Sequence, residues 1–408
     1  MYATNTLWVL LGAALVLFMT PGLALFYGGM VRVKNVLSVI IQNFYAMGIV
    51  TLIWAVFGFS LVYGPSVGGG IIGNLKYVAL GKMSNGLAGF AHLNVSPSAV
   101  MIFQLMFAII TLALISGGVA ERMKFSSFVV FGILWLLLVY IPIAHWVFSP
   151  EGWLAKRGVL DFAGGTVVEM NSGFSTLAVV LALGKRRGWP QEPMRPHSIP
   201  FSVLGGGILW FGWFGFNAGS ALGVNSVAVN AFVNTQLAAA AGLIAWMIYE
   251  NLKDKVVTPL GAVSGAVAGM VAITPAAGFV SPMSSILIGL AAGFICAAAV
   301  RVKYKFKYDD SLDVVAVHGV GGFLGMLLLG CLAEKVADPA GANGLFFGGT
   351  HFFLVELLAI AVTLVYVFGV TYIISKLVDK TIGLRVKETD EDRGLDIALH
   401  GESAYTTN

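Results

Sequence analysis

The chain of 408 residues contains eleven apolar segments, each near or above the roughly 20 residues that cross a bilayer as a helix. A backbone in hydrocarbon has no water to bond, so segments of this kind fold as helices. Charged residues make up 11% of the chain, against about 25% in a soluble domain, which excludes a soluble fold. The sequence therefore predicts an all-α polytopic membrane protein. The predicted helices span residues 5–31, 36–63, 98–118, 125–148, 162–184, 198–216, 229–250, 258–275, 281–300, 313–333 and 347–378.

The lysines and arginines are divided unevenly between the two sets of connections, and this predicts the orientation in the membrane. Nineteen of the 24 fall on the side that includes the C-terminus, and the other five fall on the opposite side. Because basic residues favour the cytoplasm, we expect a multi-pass protein of the cell (inner, plasma) membrane with its N-terminus outside and its C-terminus inside. The net charge of +4 gives no reason to expect nucleic acid as a partner.

The polar end of the chain is predicted to lie outside the membrane. Residues 1–378 form the predicted transmembrane domain, and residues 379–408 form a cytoplasmic tail that is too polar to span. Two interpretations of the tail stay open, a disordered solvated end and a docking element. The loops carry no metal-ligand spacing, nucleophile motif or phosphate-binding loop, so neither an enzyme nor a metal or cofactor is expected.

Glu169 and His318 are ionisable residues inside predicted membrane helices. Each stands eight positions after an aspartate, Asp161 and Asp310 respectively, and small residues follow both. An acid or an imidazole is costly in hydrocarbon, so such a residue indicates a functional site by default. Matching frames half a chain apart indicate two repeats that meet at one site.

Two interpretations of this pair stay open at the level of the residues. The acid and the imidazole could form a buried hydrogen bond that only fixes helix packing. Alternatively, they could share one proton, titrate as a coupled pair and relay protons through the membrane. The repeated frames and the glycines beside them favour the relay.

Aromatic residues cluster on two of the predicted helices. Phe103 and Phe107 are four positions apart and share one helix face, and further rings crowd residues 209–217. Aromatics are common in cores and interfacial belts, whereas rings that face a water-filled cup attract a small cation.

A polar cluster in the predicted helices also has two possible roles, in packing or in binding a substrate, because membrane hydroxyls often bond a backbone carbonyl rather than a substrate. This cluster consists of Asn217, Ser220, Ser264 and Thr274.

Seven short motifs, in order and spread over nearly the whole chain, resemble the signature motifs of the ammonium transporter, methylammonium permease and Rhesus family. They are Phe103-Gln-x-x-Phe107-Ala, Ala120-Glu121-Arg122, Tyr140-Ile-Pro-Ile-Ala-His145, Asp161-Phe-Ala-Gly-Gly-Thr166, Gly212-Trp-Phe-Gly-Phe-Asn-Ala-Gly-Ser220, Thr274-Pro275 and Val317-His-Gly-Val320. The tail that begins Gly383-Leu-Arg-Val386 is similar to that family's cytoplasmic tail. The resemblance implies eleven helices with a five-plus-five inverted repeat, assembled as a homotrimer with one pore per subunit.

The resemblance also implies roles for the residues that match the family's motifs. His318 corresponds to one half of a twin-histidine pair in the pore, and Glu169 stands where the other half is expected. Asp161 is expected to support an external vestibule through backbone groups. Three sets follow by position: an ammonium-binding vestibule of Phe107, Phe148 and Ser220, a gate of Phe103, Phe107 and Phe216, and a pore lining of Phe26, Tyr27, Leu209, Trp213, Thr274 and Val314.

Two positions depart from the family's usual pattern. Most members carry histidine where this chain has Glu169, although some fungal permeases also carry glutamate. Most members carry tryptophan where this chain has Phe148, and a phenyl ring has a weaker quadrupole than an indole and no N–H donor. Binding of the cation and transfer of its proton are therefore the two steps in which this chain is expected to differ most from the family's usual pattern.

The expected function is ammonium transport. Ammonium would be recruited at the aromatic vestibule and deprotonated, ammonia would cross an apolar pore, and the proton would pass along Glu169 and His318. The resemblance further implies a PII-type nitrogen-signal protein as a partner at the cytoplasmic face, and it leaves methylammonium open as a second substrate. The alternatives are an ammonium sensor that binds without substantial transport and a passive channel for ammonia gas.

Overall fold

The computed structural model of the chain is a bundle of apolar helices, and it describes residues 1–83, 86–87, 90 and 94–405. In that part, ten helices are long and apolar enough to cross a membrane, and an eleventh of 15 residues is shorter. The prediction of a polytopic all-α membrane protein with eleven spans is therefore confirmed. The helices are α1 (Tyr2–Met30), α2 (Val33–Tyr63), α3 (Pro97–Val119), α4 (Phe125–Phe148), α5 (Gly165–Leu183), α6 (Ile199–Gly219), α7 (Ser226–Asp254), α8 (Pro259–Ile273), α9 (Pro282–Phe306), α10 (Val315–Leu332) and α11 (Thr350–Ile382).

The short helix α8 rises by only about 22 Å, less than the roughly 30 Å of hydrocarbon in a bilayer. Residues 274–280 continue it as buried turns. Non-helical backbone at membrane depth is tolerated where protein surrounds it. The helices α6, α7, α9 and α10 pack around α8 and provide that surrounding.

Three helices begin at a proline that follows a hydroxyl residue, and in two of them the hydroxyl caps the helix. Thr258 precedes Pro259 of α8, and Ser281 precedes Pro282 of α9. Each hydroxyl accepts the amide N–H three residues further on. A proline at the first helical position loses no helical hydrogen bond, and the hydroxyl satisfies an amide that otherwise has no partner.

We call the end of the bundle where α1 begins the N-terminal face and the end where α11 finishes the C-terminal face. The N-terminal face carries two short antiparallel strands, β1 (Ser66–Val67) and β2 (Ile72–Gly73), with Ser66 opposite Gly73. Short 3₁₀ turns also occur in the connections, at Val78–Leu80, Ala155–Arg157 and Leu345–Phe347.

The two halves of the bundle are related as an inverted repeat, with α1–α5 equivalent to α6–α10. Because five is odd, equivalent helices run in opposite directions. Two backbone hydrogen bonds cross between the halves at equivalent places. Phe162 donates its N–H to Pro275 O just after α8, and Ser311 donates its N–H to Gly118 O near the end of α3. The donor in each case follows the aspartate of the repeated frame.

The two repeated frames fold in the same way. Helices α5 and α10 each begin with a π-helical turn, Gly165–Met170 and Val315–Val320. The two aspartates of the frames accept amide N–H groups from these turns. Glu169 lies in the first turn and His318 in the second. A π-helical turn inserts an extra residue and is frequent at functional sites.

The predicted tail, residues 379–408, is folded in the part that the structure describes, which ends at residue 405. Its first residues extend α11 as far as Ile382. The chain then forms α12 (Glu388–Arg393) and a π-helical turn, Asp396–His400. For these residues the disordered interpretation is wrong, and a role as a docking element stays a prediction.

Hydrogen bonds fasten the tail to the start of α2. The Asp396 carboxylate accepts the amide N–H groups of Leu37 and Ser38 at 3.0 and 2.8 Å, which caps the helix. The Asn35 side chain accepts the amide N–H of Leu395 at 2.8 Å. Tail and bundle therefore form one packed unit at the C-terminal face.

Candidate functional site

Glu169 and His318 meet inside the bundle, as their repeated frames predicted. His318 Nδ1 lies 2.7 Å from Glu169 Oε2. Their side chains are only 1% and 6% exposed, respectively. A separation of 2.7 Å is typical of a strong hydrogen bond in which one partner is ionised. The arrangement can place one proton between a carboxylate oxygen and an imidazole nitrogen.

The crossing of α5 and α10 brings the two side chains within reach of each other. Gly173 and Gly319 are in direct backbone contact at this crossing, and any side chain at Gly173 would overlap Gly319. Small residues allow such close approach of membrane helices. The short separation of the acid and the imidazole is therefore a consequence of glycine positions in both repeats.

Three phenylalanines pack together on the N-terminal side of the pair. Phe107 and Phe216 stack with ring centroids 4.3 Å apart at 26°. Phe103 contacts the ring of Phe107 edge-on, with centroids 4.9 Å apart. None of the three is more than 1% exposed. Phe107 and Phe216 thus form a buried stack, and Phe103 supports it from the side.

Phe148 and Ser220 lie at the N-terminal face, beside the stacked rings. Phe148 approaches Phe107 edge-on, with centroids 6.2 Å apart. Ser220 donates its hydroxyl to Phe216 O at 2.8 Å. Both residues are partly exposed. We call Phe107, Phe148 and Ser220 together the cup, and the serine oxygen keeps lone pairs to accept a further hydrogen bond.

Asp161 acts on the start of α5 rather than on the cup. One carboxylate oxygen accepts the N–H groups of Gly164 and Gly165 at 2.8 and 2.5 Å. The other accepts the N–H and the hydroxyl of Thr166 at 2.8 and 2.5 Å. With its oxygens used in this way, Asp161 fixes the turn that carries Glu169 through backbone groups.

A narrow, largely apolar cavity lies between the phenylalanine stack and the ionisable pair. Glu169 and His318 form its polar wall. The remaining wall includes Leu23, Leu114, Val168, Leu209, Trp213 and Phe216. Water is retained in a protein cavity only where several polar groups can bond it, so this stretch favours a small neutral molecule over a hydrated ion.

A second cavity, of about 180 Å³, lies on the C-terminal side of the pair. His318 lines both cavities. Ser264, from the polar cluster predicted from the sequence, also lines the second cavity. The imidazole therefore stands between an apolar compartment and a more polar one.

Two of the six predicted pore-lining residues support the cavities instead of lining them. Thr274 accepts the indole N–H of Trp213 at 2.9 Å. Val314 packs beside the ring of Tyr27, where Gly117 leaves room for both. The other four line a cavity: Leu209 and Trp213 the first, Phe26 and Tyr27 the second.

Glu250 and Asp313 add two carboxylates to the second cavity, and the sequence-based interpretation missed both. Glu250 accepts the amide N–H of Thr258 at 2.9 Å. Asp313 pairs with Lys303 at 2.6 Å. A signal for Asp313 exists, because it lies in the repeated frame five residues before His318. Glu250 lies four residues before the end of an apolar helix and belongs to no such pattern.

Glu121, from the Ala-Glu-Arg motif, anchors the C-terminal face beneath the second cavity. It pairs with Arg32 at 2.9 Å and with Arg186 at 3.0 Å. Burial alone would raise the pKa of Glu121, but the guanidinium groups of Arg186 and Arg32 outweigh it and lower the pKa below its ordinary value. Arg186 also pairs with Asp309 at 2.8 Å. The network ties the ends of α1 and α3 to the loop before α10.

The chain is similar to proteins of one family along its whole length. The family model described as Ammonium Transporter Family matches residues 7–405. An ammonium transporter of Bacillus subtilis is 46% identical over 402 residues, which cover 98% of each chain. The crystal structure of Mep2 from Saccharomyces cerevisiae superposes with a TM-score of 0.86 at 35% identity, covering 95% of this chain and 90% of that one. A structure described as a sensor Amt protein gives a TM-score of 0.88 at 29% identity, covering 98% of both chains.

Proposed function

The chain belongs to the ammonium transporter family, whose named members are transporters rather than enzymes, and we propose that it carries ammonium by moving ammonia and the proton along separate routes. The observation that carries this proposal is the 2.7 Å hydrogen bond between Glu169 and His318 in a passage that is otherwise apolar. The pair gives the proton a place to reside while ammonia passes it.

The stacked rings of Phe107 and Phe216 leave no path for a hydrated cation. Moving a bare cation from water into an apolar passage costs several kcal/mol or more. Ammonia is neutral and loses only hydrogen bonds, so its cost is far smaller. The same cost excludes potassium, which aromatic rings also attract but which has no proton to release.

Ammonium first binds at the cup on the N-terminal face. Phe107 and Phe148 offer aromatic rings, which attract a small cation within about 6 Å of the ring centroid. The oxygen of Ser220 can accept an N–H bond from ammonium. Methylammonium fits the same chemistry, because its charged end keeps three N–H donors.

The proton route runs through the imidazole. The pair accepts the proton that ammonium releases, and the ammonia so formed crosses the apolar cavity. His318, which lines both cavities, releases a proton into the second one, where Glu250 provides negative charge. Ammonia takes up that proton there and leaves as ammonium. For each ammonium that enters, one proton and one ammonia cross by separate routes and recombine before they leave.

The N-terminal face is placed outside the cell and the C-terminal face in the cytoplasm of the plasma membrane. The basic residues support this orientation, since nineteen of the 24 lie on the side of the tail. Exposed apolar side chains along the helices fit a lipid bilayer and a homotrimer. The folded tail offers a PII-type nitrogen-signal protein a fixed surface at the cytoplasmic mouth.

Ammonium-evoked current in proteoliposomes tests the relay. The wild type should give current with ammonium and none with potassium, and Glu169→Gln should lose more current than ammonia flux. Glu356→Gln is a matched control, because Glu356 is another buried carboxylate in a membrane helix and lines neither cavity. Equal loss of current and flux in Glu169→Gln would contradict the relay and favour a packing role.

A sensor is the second candidate function, because the fold also matches the protein described as a sensor. Binding assays and flux assays on the same preparation separate the candidates. Ammonium binding without flux would identify a sensor. Ammonia flux without current would identify a passive gas channel.

A further inference from the structure

Lys303 lies beside the C-terminal end of the transport route, and the route described above gives it no role. A third cavity, of about 240 Å³, lies at the C-terminal face next to the second cavity, and we call it the outer cavity. Lys303 lines the outer cavity but not the second one. The residues that line both are Met30, Leu260, Leu312 and Asp313. Lys303 therefore approaches Asp313 from the side on which a cation would leave.

Two oxygen atoms hold the charged end of Lys303. Its Nζ atom lies 2.6 Å from Asp313 Oδ1 and donates a hydrogen bond to Asp310 O at 3.0 Å. The lysine side chain is 7% exposed and that of Asp313 is 23% exposed. The end of a lysine side chain is an alkylammonium ion, with N–H donors like those of ammonium itself. The two oxygens thus form a site that suits ammonium, and a lysine of the same chain occupies it.

The ion pair neutralises the charged residue that the second and outer cavities share. In the described part of the chain, Lys303 is the cation that pairs with Asp313. Arg186, which also lines the outer cavity, pairs with Glu121 and Asp309 instead. The remaining residues that line both cavities are apolar. Lys303 therefore decides whether a cation meets a net negative charge on passing from one cavity to the other.

The backbone of Asp313 adds a second observation at this site. Its φ angle is 64°, in the left-handed region that favours glycine. Residues other than glycine are uncommon there, and such conformations persist where the surrounding structure holds them, often at functional sites. Asp313 lies five residues before His318, next to the turn that carries the imidazole. The position of its carboxylate is therefore fixed relative to the proton-carrying pair.

A free carboxylate at this point would retain the cation that leaves. Two unit charges about 4 Å apart favour association by about fivefold even in bulk water, and by more near a protein surface. Without Lys303, Asp313 would thus hold ammonium between the two cavities and slow its release. With Lys303 in place, the leaving ammonium meets a neutral pair and does not stay.

We propose that Lys303 acts as a built-in substitute for ammonium at Asp313 and so prevents this outlet from retaining the transported cation. The inference rests on the proposed function, since it requires that ammonium leave through the second cavity. It adds a residue that sets how strongly ammonium on the C-terminal side inhibits transport.

Inhibition from the C-terminal side tests the proposal. Uptake of ¹⁵N-ammonium would be measured in right-side-out membrane vesicles that contain the full-length protein and are loaded with graded concentrations of unlabelled ammonium. Lys303→Met leaves Asp313 unpaired, so the internal concentration that halves the initial uptake should fall about fivefold or more. The external concentration for half-maximal uptake should stay unchanged. Lys305→Met is the matched control, because Lys305 is exposed on the same helix and lines neither cavity.

A second substitution separates the effect of charge from a loss of packing. The double variant Lys303→Met, Asp313→Asn removes the carboxylate as well and should restore the internal inhibition of the wild type. Asparagine tolerates the left-handed backbone at this position. Lys303→Arg keeps the positive charge and should also resemble the wild type.

Three results would overturn the proposal. Unchanged internal inhibition in Lys303→Met, or no rescue by the double variant, would contradict it while the wild type still transports. No uptake by the wild type above that of vesicles without the protein would contradict the proposed function, and the inference with it.

Wild-type crystals soaked in rubidium chloride give a test that needs no variant. No rubidium ion should lie beside the Asp313 carboxylate, because the Lys303 ammonium group already occupies that site. A rubidium ion bound there with the ion pair intact would show that the lysine does not fill the site.

Discussion

Gly322 packs directly against the Cβ atom of Glu169, at a position four residues after His318. A methyl group added at Gly322 would lie 2.7 Å from that atom, which is closer than carbon atoms approach one another in proteins. The hydrogen bond between the acid and the imidazole thus depends on a position that carries no side chain.

We expect Gly322→Ala to lower ammonium flux by about tenfold or more, because a displacement of 1 Å at a reacting centre can cost a hundredfold. Overpacking should also destabilise the fold by about 1–3 kcal/mol. Flux in proteoliposomes and the melting temperature would measure the two effects. Gly207→Ala is the control, since Gly207 has open space around it. Normal flux in Gly322→Ala would show that the contact has no influence on the pair.

Phe148→Trp should tighten ammonium binding at the cup. An indole attracts a cation more strongly than a phenyl ring, and the gain at a partly exposed site is about 0.5–1 kcal/mol, or two- to fivefold. The concentration of ammonium that gives half-maximal current would report it. Phe211→Trp, at a ring exposed on the outside of α6, should leave that concentration unchanged. An unchanged value in Phe148→Trp would remove Phe148 from the cup.

Acid should destabilise the C-terminal face through Glu121. Arg186 and Arg32 hold the pKa of Glu121 below its ordinary value although burial opposes them. A group with a lowered pKa in the folded state contributes stability above its unfolded pKa, near 4.3, and that stability is lost as pH falls through the folded pKa. The melting temperature of the wild type should therefore fall below about pH 4 more steeply than that of Glu121→Gln.

At pH 7 the same variant should be less stable than the wild type by about 3–5 kcal/mol, because one partner of a buried ion pair is removed. Glu388→Gln breaks an exposed pair with Arg187 and should change the melting temperature little. Parallel pH profiles for the wild type and Glu121→Gln would exclude Glu121 as the titrating group.

Asp396→Ala should release the tail from the bundle. It removes the cap on Leu37 and Ser38, and losing such a cap costs about 1 kcal/mol. Limited proteolysis in detergent should then cut the tail several times faster than in the wild type. Asp392→Ala, at an exposed position of the same tail, gives the comparison. Similar cleavage rates in both variants would mean that the capping bonds do not hold the tail.

The spans and the meeting of Glu169 with His318 could be predicted from the sequence for a clear physical reason. A bilayer demands long apolar helices, and an ionisable side chain within one needs a partner. The repeated distance from an aspartate indicated which residue that partner is. These are local patterns whose consequences do not depend on details of packing.

Other parts of the site depend on how distant segments pack and so escaped prediction. The spacing of Phe103 and Phe107 placed both rings on one helix face, but the packing of α3 and α6 against α1 selects Phe107 to stack on Phe216. Glu250 reaches the second cavity only because α7 ends beside α8. The polar composition of the tail favoured disorder, yet the Asp396 carboxylate accepts amide N–H groups at the start of α2.

The backbone hydrogen bonds from Phe162 to Pro275 and from Ser311 to Gly118 occupy equivalent places in the two halves of the chain. The backbones of the halves are thus alike, but their side chains are not. A twofold inversion of the backbone gives the passage no preferred sense of travel. Placing an acid at one of the two equivalent positions and a base at the other breaks that equivalence. The hydrogen-bonded pair is therefore asymmetric, and so are its surroundings, since the stacked phenylalanines lie on its N-terminal side and the more polar cavity on its C-terminal side.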